Sequence, residues 1–536
     1  MSDATLTEAD RRLRRVVDAA LVLFALAWAI GLFGYGPIPA TEPRFAEIVR
    51  EMFARGNFLV PTINGVPYVE YPPLYYWLAA LARATGLPLV AAVRVPGMAA
   101  YFLWLFFARR LTRSLALPER FITLFPVVLG ALPIALYNFF LAHTDSWLSL
   151  GVLVAYTGYV RLRRGSGRGF PWELWAGAAV ATLAKGPVGL AITLPAMGLD
   201  LLGDMGSFRP WSPPWWRTLW SELTPLRPFR GVILALTPLA LWAVACGLQI
   251  GWAFDRATFV YQNFTRYTQG IDHFHGVFFY AHTIWGDFAP WSLLLPWAFF
   301  LLWRHRREPA WRILGVWALW TIVFFSLAVS KQSKYLLPAA PALAALALLS
   351  LSELPGRLSS FVDRVFRGLS VVVLTLIALV FVFVLSGLTR PWLVVPTPET
   401  FRGLPRLRSW IKAHPGLLVS YTWPQPPTVY ELEPVTGGPF PWVRSARALY
   451  RDLHEKRFAA GTYLLVPDAL LPAANHPPPS LELVPAPQSP WFRPLLTIPA
   501  QGGLTLYEIL PPAVGMSEPM TPPPPPRSWL DRFDTD

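Results

Sequence analysis

Apolar runs alternate with short polar segments along most of this chain. A membrane-spanning helix takes about 17–25 predominantly apolar residues, and we count eleven candidate runs. They lie near residues 17–35, 90–110, 120–140, 146–162, 172–184, 187–204, 230–252, 288–304, 311–330, 336–352 and 368–388. The pattern predicts an all-α polytopic membrane protein with about 11 or more transmembrane helices.

Two of these runs are short and meet at Lys185-Gly186-Pro187. Membranes tolerate such a break where the freed backbone lines a cavity. The first loop (36–89) is too long for a plain connector, and a helical pattern runs through residues 44–55. Its apolar stripe faces away from its charged residues, which predicts a helix lying in the membrane interface. Residues 74–84 could form a second interfacial helix. The apolar stripe contains Phe45, Ile48, Val49, Met52 and Phe53, and the opposite face contains Arg44, Glu47, Arg50, Glu51 and Arg55.

Beyond residue 395 the pattern becomes that of an ordinary globular protein. Strand-like runs occur at Leu417–Thr422, Thr462–Val466 and Leu504–Ile509, and helical stretches occur near 399–413 and 444–457. This pattern predicts a small C-terminal α/β domain. We therefore divide the chain into a membrane domain (1–390), the α/β domain (391–510) and a proline-rich tail (511–536) that is typical of disorder.

Composition supports the membrane assignment. The chain is 54% hydrophobic and 15% charged, whereas soluble proteins carry about 25% charged residues. The net charge of +14 comes from arginines that cluster between alternate apolar runs, which is the positive-inside pattern and not a nucleic-acid surface. The first run lacks a small-residue cleavage site, so we expect a retained signal anchor with a cytoplasmic N-terminus. The clusters are Arg11, Arg12, Arg14 and Arg15; Arg109, Arg110, Arg113 and Arg120; Arg161, Arg163, Arg164 and Arg168; Arg209, Arg217, Arg227 and Arg230; Arg304, Arg306, Arg307 and Arg312; and Arg357, Arg364 and Arg367.

The same topology places the unusual polar residues together on the opposite, periplasmic side. These segments are the first loop, His143-Thr144-Asp145, Lys185, residues 253–287, residues 331–335 and everything after about residue 390. Because the topology was assigned from arginines alone, this convergence independently indicates one polar site at the periplasmic face.

The residue types in this site suit transfer from a lipid phosphate. A carboxylate such as Glu42, Glu70 or Asp145 can act as general base on an acceptor hydroxyl. A nearby cation can neutralise a phosphate leaving group. The candidate cations are Lys185, Arg266, Lys331 and Lys334. Structural alternatives stay open: Glu42 and Arg44 could cap a helix and form a local ion pair, Asp145 could cap the fourth run, and Lys185 could extend to the interface.

Histidines raise the question of a metal. His273, His275, His282 and Asp287 match no compact zinc spacing, and their aromatic neighbours also suit interfacial anchoring. We expect no metal and no cofactor.

Arg266 lies in the aromatic-rich stretch Tyr261–Tyr267, which could seat an anionic lipid headgroup or form an interfacial belt. Cys246 is the single cysteine, so an intrachain disulfide is excluded.

Several segments resemble the bacterial aminoarabinose transferase-like family, which is related to protein O-mannosyltransferases. The first-loop run EPRFAEIVREMFARGNFLVPTINGVPYVEYPPLYYW looks like the signature of that family. The resemblance covers roughly residues 15–390. Further similar segments are His143-Thr144-Asp145, Ala184-Lys185-Gly186-Pro187, Tyr261–Arg266, Tyr280, Pro290-Trp291, and Phe325-Ser326 through Lys331 and Tyr335 to Pro338.

The resemblance implies a GT-C fold and an inverting sugar transfer from a polyprenyl-phosphate donor at the periplasmic face of the inner membrane. It implies that Glu70 and Asp145 are acidic site residues and that Arg266 and Tyr335 hold the lipid phosphate. It also implies that Tyr68 and Lys185 line the same cavity. The acceptor, which could be lipid A, another glycan, a lipid or a protein, is not indicated.

Two positions depart from the family pattern. Thr41 stands where the aminoarabinose enzymes have an aspartate, and Tyr71 stands where they have a lysine. We hypothesise that Glu42 takes over the acidic role. The predicted site therefore has Glu42, Asp145 and Glu70 as catalytic residues, Arg266, Tyr335, Lys185 and Lys331 as phosphate ligands, and Thr41, Arg44, Tyr68, Tyr71 and His143 as cavity-lining residues. The alternatives are a transporter or flippase of lipid-linked sugars and a non-catalytic binding relative.

Overall fold

The structure is a computed structural model. It describes residues 7–33, 42–165, 169–205, 212–252, 260, 266–268, 274–353, 404–421, 442–443, 462–467, 492–498 and 504–509. The described residues fall into two compact units. The first comprises those within 1–35, 58–60 and 69–388, and the second comprises those within 36–57, 61–68 and 389–536. Part of the first loop thus groups with the C-terminal residues.

Helices dominate the described chain. They are α1 (Glu8–Gly31), α2 (Glu42–Arg55), α3 (Leu74–Ala84), α4 (Leu89–Ser114), α5 (Glu119–Gly130), α6 (Pro133–Phe140), α7 (Asp145–Arg163), α8 (Trp172–Lys185), α9 (Val188–Asp204), α10 (Pro213–Leu223), α11 (Pro228–Ile250), α12 (Phe279–Asp287), α13 (Leu295–Arg304), α14 (Pro309–Leu327), α15 (Ala340–Ser352) and α16 (Leu404–Ala413). Short 3-10 segments span Thr224–Leu226, Trp291–Leu294 and Ser333–Ala339.

Helices occupy each predicted apolar run except 368–388, which lies outside the described residues. Within the described chain, four helical stretches are long and apolar enough to cross a membrane: α4, α11, α14 and Ser333–Leu351. A fifth span results if the bent pair α5 and α6 is counted as one. The mostly helical membrane architecture is therefore confirmed, whereas the number of eleven spans stays a prediction.

The run predicted as one span near 120–140 is broken. Helices α5 and α6 meet at a bend of 60°. Pro133 begins α6, and the residue before it, Leu132, is extended with φ −61° and ψ 132°. A proline disfavours helical backbone in the preceding residue and supplies no N–H. The hydrophobic pattern alone did not reveal this break.

Helices α7 and α8 are in direct backbone contact. A Cβ atom at Gly151 would overlap the backbone of Ala181, and one at Gly177 would overlap the backbone of Ala155. Small residues allow this close approach between membrane helices. At one end of the pair, Arg161 Nη1 lies 2.5 Å from the carboxylate of Glu173. The pair is therefore antiparallel and rigidly spaced.

A buried charge network fixes the C-terminal end of α7. The carboxylate of Asp200, on α9, accepts from Arg312 Nε at 2.7 Å and from the hydroxyl of Tyr159 at 2.6 Å. Arg312 also lies 2.9 Å from Asp204, which pairs in turn with Arg163. Buried charges are tolerated when paired and hydrogen-bonded in this way. The network joins α7, α9 and α14.

The second unit contains α2 and a two-stranded hairpin of β1 (Thr62–Ile63) and β2 (Val66–Pro67). The predicted helix is confirmed, but its charged face is not fully exposed: Glu47 and Glu51 are buried, whereas Arg55 is exposed. The Glu51 carboxylate accepts from the Thr62 hydroxyl and from the Gly65 N–H at 3.1 Å. Glu47 accepts from Arg50 at 2.7 Å. Periodicity identified the helix but not which face is covered.

The C-terminal residues form a mixed sheet of β3 (Leu417–Tyr421), β4 (Trp442–Val443), β5 (Thr462–Pro467), β6 (Phe492–Ile498) and β7 (Leu504–Ile509). The strand order is β4-β3-β5-β7-β6, with β3 parallel to both neighbours and β7 antiparallel to β5 and β6. The three predicted strands and the helix ending at 413 are therefore present. The predicted helix 444–457 and tail 511–536 lie outside the described residues.

Candidate active site

An ion pair between α7 and α8 forms the centre of the candidate site. Asp145 is the first residue of α7 and Lys185 is the last residue of α8. The Lys185 Nζ lies 2.5 Å from Asp145 Oδ1, and the carboxylate side chain is only 3% exposed. The antiparallel packing of the two helices brings these two predicted site residues together. The N-cap position of α7 is occupied by Thr144, so Asp145 lies inside the helix and is not its N-cap residue.

Tyr335 supplies the third predicted member of this group. The Lys185 Nζ lies 4.5 Å from the centroid of the Tyr335 ring, which is a cation–π contact. Tyr335 belongs to the 3-10 segment Ser333–Ala339. Two hydrogen bonds hold that segment in place: Ser149 Oγ donates to Leu337 O at 3.1 Å, and Trp317 Nε1 donates to Pro338 O at 3.0 Å.

Positive charge converges on the Asp145 carboxyl. Burial raises the pKa of this group, but the charges of Lys185 and Lys334 lower it more, so the pKa lies below its ordinary value. His143, which is buried beside Tyr137 at a ring distance of 5.8 Å, acts in the same direction. Asp145 therefore stays ionised at neutral pH and fixes the position of the Lys185 ammonium group.

Asp287 and Ser333 add a second polar contact to the same 3-10 segment. The Ser333 hydroxyl donates to Asp287 Oδ1 at 2.6 Å, and the Tyr280 hydroxyl donates to Gln332 O at 3.2 Å. Burial raises the pKa of the Asp287 carboxyl above its ordinary value. The sequence singled out Asp287 only as a metal candidate and did not single out Ser333. The polar run from Lys331 to Tyr335 between two apolar runs was the available signal.

Lys331 is held by backbone carbonyl groups. Its ammonium group donates to His275 O at 2.8 Å and to Ala328 O. The residue is 3% exposed. These bonds tie the end of α14 to the chain before α12, and the predicted role of Lys331 as a phosphate ligand stays a prediction.

The other predicted site residues of the first unit are Glu70, Tyr71 and Arg266. Glu70 and Tyr71 are half-buried in the turn that precedes α3. Arg266 begins a short helical turn, Arg266–Thr268, but its side chain lies outside the described atoms. The turn is anchored by Tyr267, whose hydroxyl donates to Phe324 O at 2.9 Å.

A separate group of predicted residues lies in the second unit. Arg44 Nη1 donates to the Tyr68 hydroxyl at 2.8 Å, and the guanidinium lies 5.8 Å from the Tyr68 ring centroid. Glu42 is buried in the first turn of α2. Thr41 lies outside the described residues. The structure thus brings Arg44 and Tyr68 together, and their cavity-lining role stays a prediction.

The metal question concerns the histidine-bearing stretch before α13. Among the residues that the structure describes, no group of three histidine, cysteine, aspartate or glutamate side chains could hold a metal ion. The ring of His275 stacks on Phe279 at 4.3 Å. His273 lies outside the described residues.

Comparison with known proteins places this geometry in context. No model of a protein family matches the chain. The chain is 26% identical over 348 residues to an undecaprenyl phosphate-α-4-amino-4-deoxy-L-arabinose arabinosyl transferase of Pseudomonas fluorescens (strain Pf0-1), covering 61% of this chain and 56% of the relative. A transferase of the same description from Pseudomonas paraeruginosa is 26% identical over 373 residues, covering 66% and 62%. The resemblance to the aminoarabinose transferase-like family is confirmed. The chain matches less than two thirds of the length of either relative.

Solved structures agree on the fold. The structure of ArnT from Cupriavidus metallidurans bound to undecaprenyl phosphate aligns with a TM-score of 0.64 at 20% identity, covering 92% of this chain and 96% of ArnT. The apo form of the same protein aligns with a TM-score of 0.65 at 19% identity, covering 94% and 98%. The fold of this chain is therefore similar to that of ArnT.

Proposed function

We propose that this chain is an inner-membrane glycosyltransferase of the GT-C type. It moves a monosaccharide from a polyprenyl-phosphate donor to an acceptor that faces the periplasm. The observation that carries the proposal is the contact of Lys185 with both Asp145 and Tyr335. A positioned ammonium group beside a phenol is suited to a phosphate leaving group. The described resemblance to transferases that use undecaprenyl phosphate supports this donor class.

The reaction requires one bond to form and one to break. The acceptor oxygen attacks the anomeric carbon, the bond from that carbon to the phosphate oxygen breaks, and the electron pair leaves with the polyprenyl phosphate. Lys185 stabilises the negative charge that develops on this leaving group. The Tyr335 hydroxyl, together with the Arg266 side chain, holds the phosphate during departure.

The acceptor proton must pass to a carboxylate. Asp145 is ion-paired and its pKa is lowered, so it is a weak base and serves to orient Lys185. This leaves Glu42 and Glu70 as the bases in our proposal, with Glu42 replacing the family aspartate at position 41. Within the second unit, Arg44 donates to the Tyr68 hydroxyl, and both are cavity-lining residues in our proposal.

The proposal includes a topology and a limit on the substrate. The N-terminus is cytoplasmic, about eleven helices cross the membrane, and the C-terminal α/β unit is periplasmic. Thr41 and Tyr71 replace two polar residues of the aminoarabinose enzymes, which argues against aminoarabinose transfer to lipid A as the specific reaction. The acceptor is lipid A, another glycan, a lipid or a protein.

The test uses purified full-length protein in lipid nanodiscs with a panel of polyprenyl-phosphate sugars. Release of free polyprenyl phosphate is followed with and without a periplasmic-envelope extract as acceptor. We expect acceptor-dependent release from one donor, with loss in Lys185→Ala and Arg266→Ala. Arg306→Ala, in the turn between α13 and α14, serves as the control that keeps activity. A donor that binds but is never cleaved would instead support a transporter or a non-catalytic binding protein.

A further inference from the structure

A basic pocket lies between the C-terminal ends of α4 and α7, away from the candidate active site. Its volume is about 390 Å³, and five arginines line it: Arg109, Arg110, Arg113, Arg161 and Arg164. On α7, Arg161 follows Asp145 by sixteen positions, which corresponds to roughly 24 Å along a helix. The pocket therefore lies at the opposite end of α7 from the Lys185 ion pair.

The arginines are only partly neutralised. Glu173 pairs with Arg110 at 2.6 Å and with Arg161 at 2.5 Å. Asp18 pairs with Arg109 at 2.6 Å. Two carboxylates thus face five guanidinium groups, and within the described chain neither Arg113 nor Arg164 has a carboxylate partner.

Part of this charge is open to a ligand. Arg113 and Arg164 are both exposed. Arg164 donates to Leu115 O at 2.7 Å, which holds its guanidinium at the pocket wall. Because the two exposed guanidinium groups have no carboxylate partner in the described chain, an anion in the pocket can accept charge-assisted hydrogen bonds from them.

An adjoining pocket of about 300 Å³ is more apolar. It shares Arg110 and Arg161 with the basic pocket and is otherwise lined by residues that include Leu162, Phe170 and Trp172. Trp172 is 65% exposed, and Phe106 at the basic pocket is 61% exposed. Exposed aromatic side chains beside cations are typical of the membrane–water interface. The combined shape suits a ligand with an anionic head and an apolar body.

We propose that the arginine pocket binds the phosphate of an anionic glycerophospholipid, with the glycerol and first acyl carbons in the adjoining apolar pocket. Basic pockets between membrane helices on the cytoplasmic side suit such headgroups. A free anion would fill only the basic pocket and would leave the adjoining apolar pocket empty. This site is independent of the proposed transferase reaction.

The test is native mass spectrometry of the delipidated full-length protein, titrated with phosphatidylglycerol or phosphatidylcholine. We expect selective retention of phosphatidylglycerol. Because each basic residue contributes about 1 kcal/mol to anionic-lipid binding, the double variant Arg113→Gln/Arg164→Gln should raise its Kd by at least about tenfold. The matched control is Arg306→Gln/Arg307→Gln, which removes two arginines elsewhere and should leave the Kd unchanged. Equal retention of both lipids, or equal loss in both variants, overturns the proposal.

Two further arms keep the test decisive. Inorganic phosphate is added as a competitor, and displacement of the lipid at low millimolar phosphate would assign the pocket to a small anion instead. If the double variant does not fold, the wild-type protein alone decides. Phosphatidylglycerol should then raise the Tm more than phosphatidylcholine does, and high salt should remove the difference because it screens the charges. No lipid selectivity in the Tm overturns the proposal.

Discussion

Asp145 and Lys185 join the N-terminus of α7 to the C-terminus of α8 through an ion pair of 2.5 Å. At the far end of the same helix pair, Glu173 bridges Arg110 and Arg161. Between these ends, the glycine contacts of α7 and α8 set the spacing of the backbones. The position of the Lys185 ammonium group is therefore a property of the whole helix pair, which makes it sensitive to changes far from the site.

The first prediction concerns the ion pair itself. Removing one partner of a buried pair leaves an uncompensated charge, which costs about 3–5 kcal/mol. We expect Asp145→Asn and Lys185→Met each to lower the Tm and to abolish polyprenyl-phosphate release. The loss of stability in the double variant should be smaller than the sum of the losses in the two single variants. Thermal unfolding of the four proteins measures this coupling, and strictly additive effects would contradict a direct pair.

A second prediction concerns the helix contact. Gly177→Ala places a Cβ against the backbone of Ala155, so α8 must move. Overpacking of this kind costs about 1–3 kcal/mol, and the shift should also reduce turnover because it displaces Lys185. The matched control is Gly198→Ala in α9, where a Cβ meets no atom within 4 Å. Tm and turnover are measured for both, and equal effects would show that the contact with Ala155 is not the cause.

The sequence identified Asp145 and Lys185 as site residues because a charged side chain in a membrane is energetically costly. Charged residues at the end of an apolar run are costly in a membrane, and both Lys185 and Asp145 occupy such a position. Their contact follows from two consecutive helices that pack antiparallel, a local arrangement that a hydrophobic pattern can indicate. Tyr335 entered through its resemblance to a family position.

Other features of the structure depend on contacts with residues from distant segments, and the pattern within a single segment does not predict such contacts. The burial of Glu51 arises from the hairpin residues Thr62 and Gly65. The partner of Asp287 is Ser333, forty-six positions away. The arginine clusters, interpreted as topology signals, also form a pocket because α4 and α7 end at the same place. Such tertiary contacts decide what a charged residue does, and periodicity does not encode them.

The third prediction separates the Tyr335 ring from its hydroxyl. Tyr335→Phe keeps the ring against Lys185, whereas Tyr335→Ala removes a cation–π contact worth about 0.5–2 kcal/mol. We expect both variants to lose turnover, because the hydroxyl holds the donor phosphate, and we expect Tyr335→Ala to lower the Tm more than Tyr335→Phe does. Full turnover in Tyr335→Phe would exclude a hydroxyl contact with the phosphate.

The fourth prediction is a pH dependence. The lowered pKa of Asp145 means that, below the ordinary value of 3.8, the unfolded chain binds a proton that the native protein does not. The stabilisation is therefore complete above pH 3.8 and is lost as the pH falls through the lower folded-state pKa. The Tm difference between wild type and D145N should be constant above pH 3.8 and should shrink below it. A Tm difference between wild type and D145N that grows as the pH falls would contradict a lowered pKa of Asp145.

The fifth prediction concerns the general base. Glu42 is buried in the first turn of α2, next to the position where the family has an aspartate. If Glu42 accepts the acceptor proton, Glu42→Gln should lower kcat by about 10²–10⁴-fold, which is typical of a lost general base. The KM for the donor should change little, because the amide keeps the size of the side chain.

A rescue distinguishes this role from a structural one. Adding Thr41→Asp to Glu42→Gln restores the family's own carboxylate one position away, so we expect part of the lost kcat to return. A purely structural role of Glu42 would give no such recovery. Glu119→Gln, at the start of α5, is the control that keeps turnover. Normal turnover in Glu42→Gln itself would reject the hypothesis and leave Glu70 as the base, because Asp145 is held by Lys185.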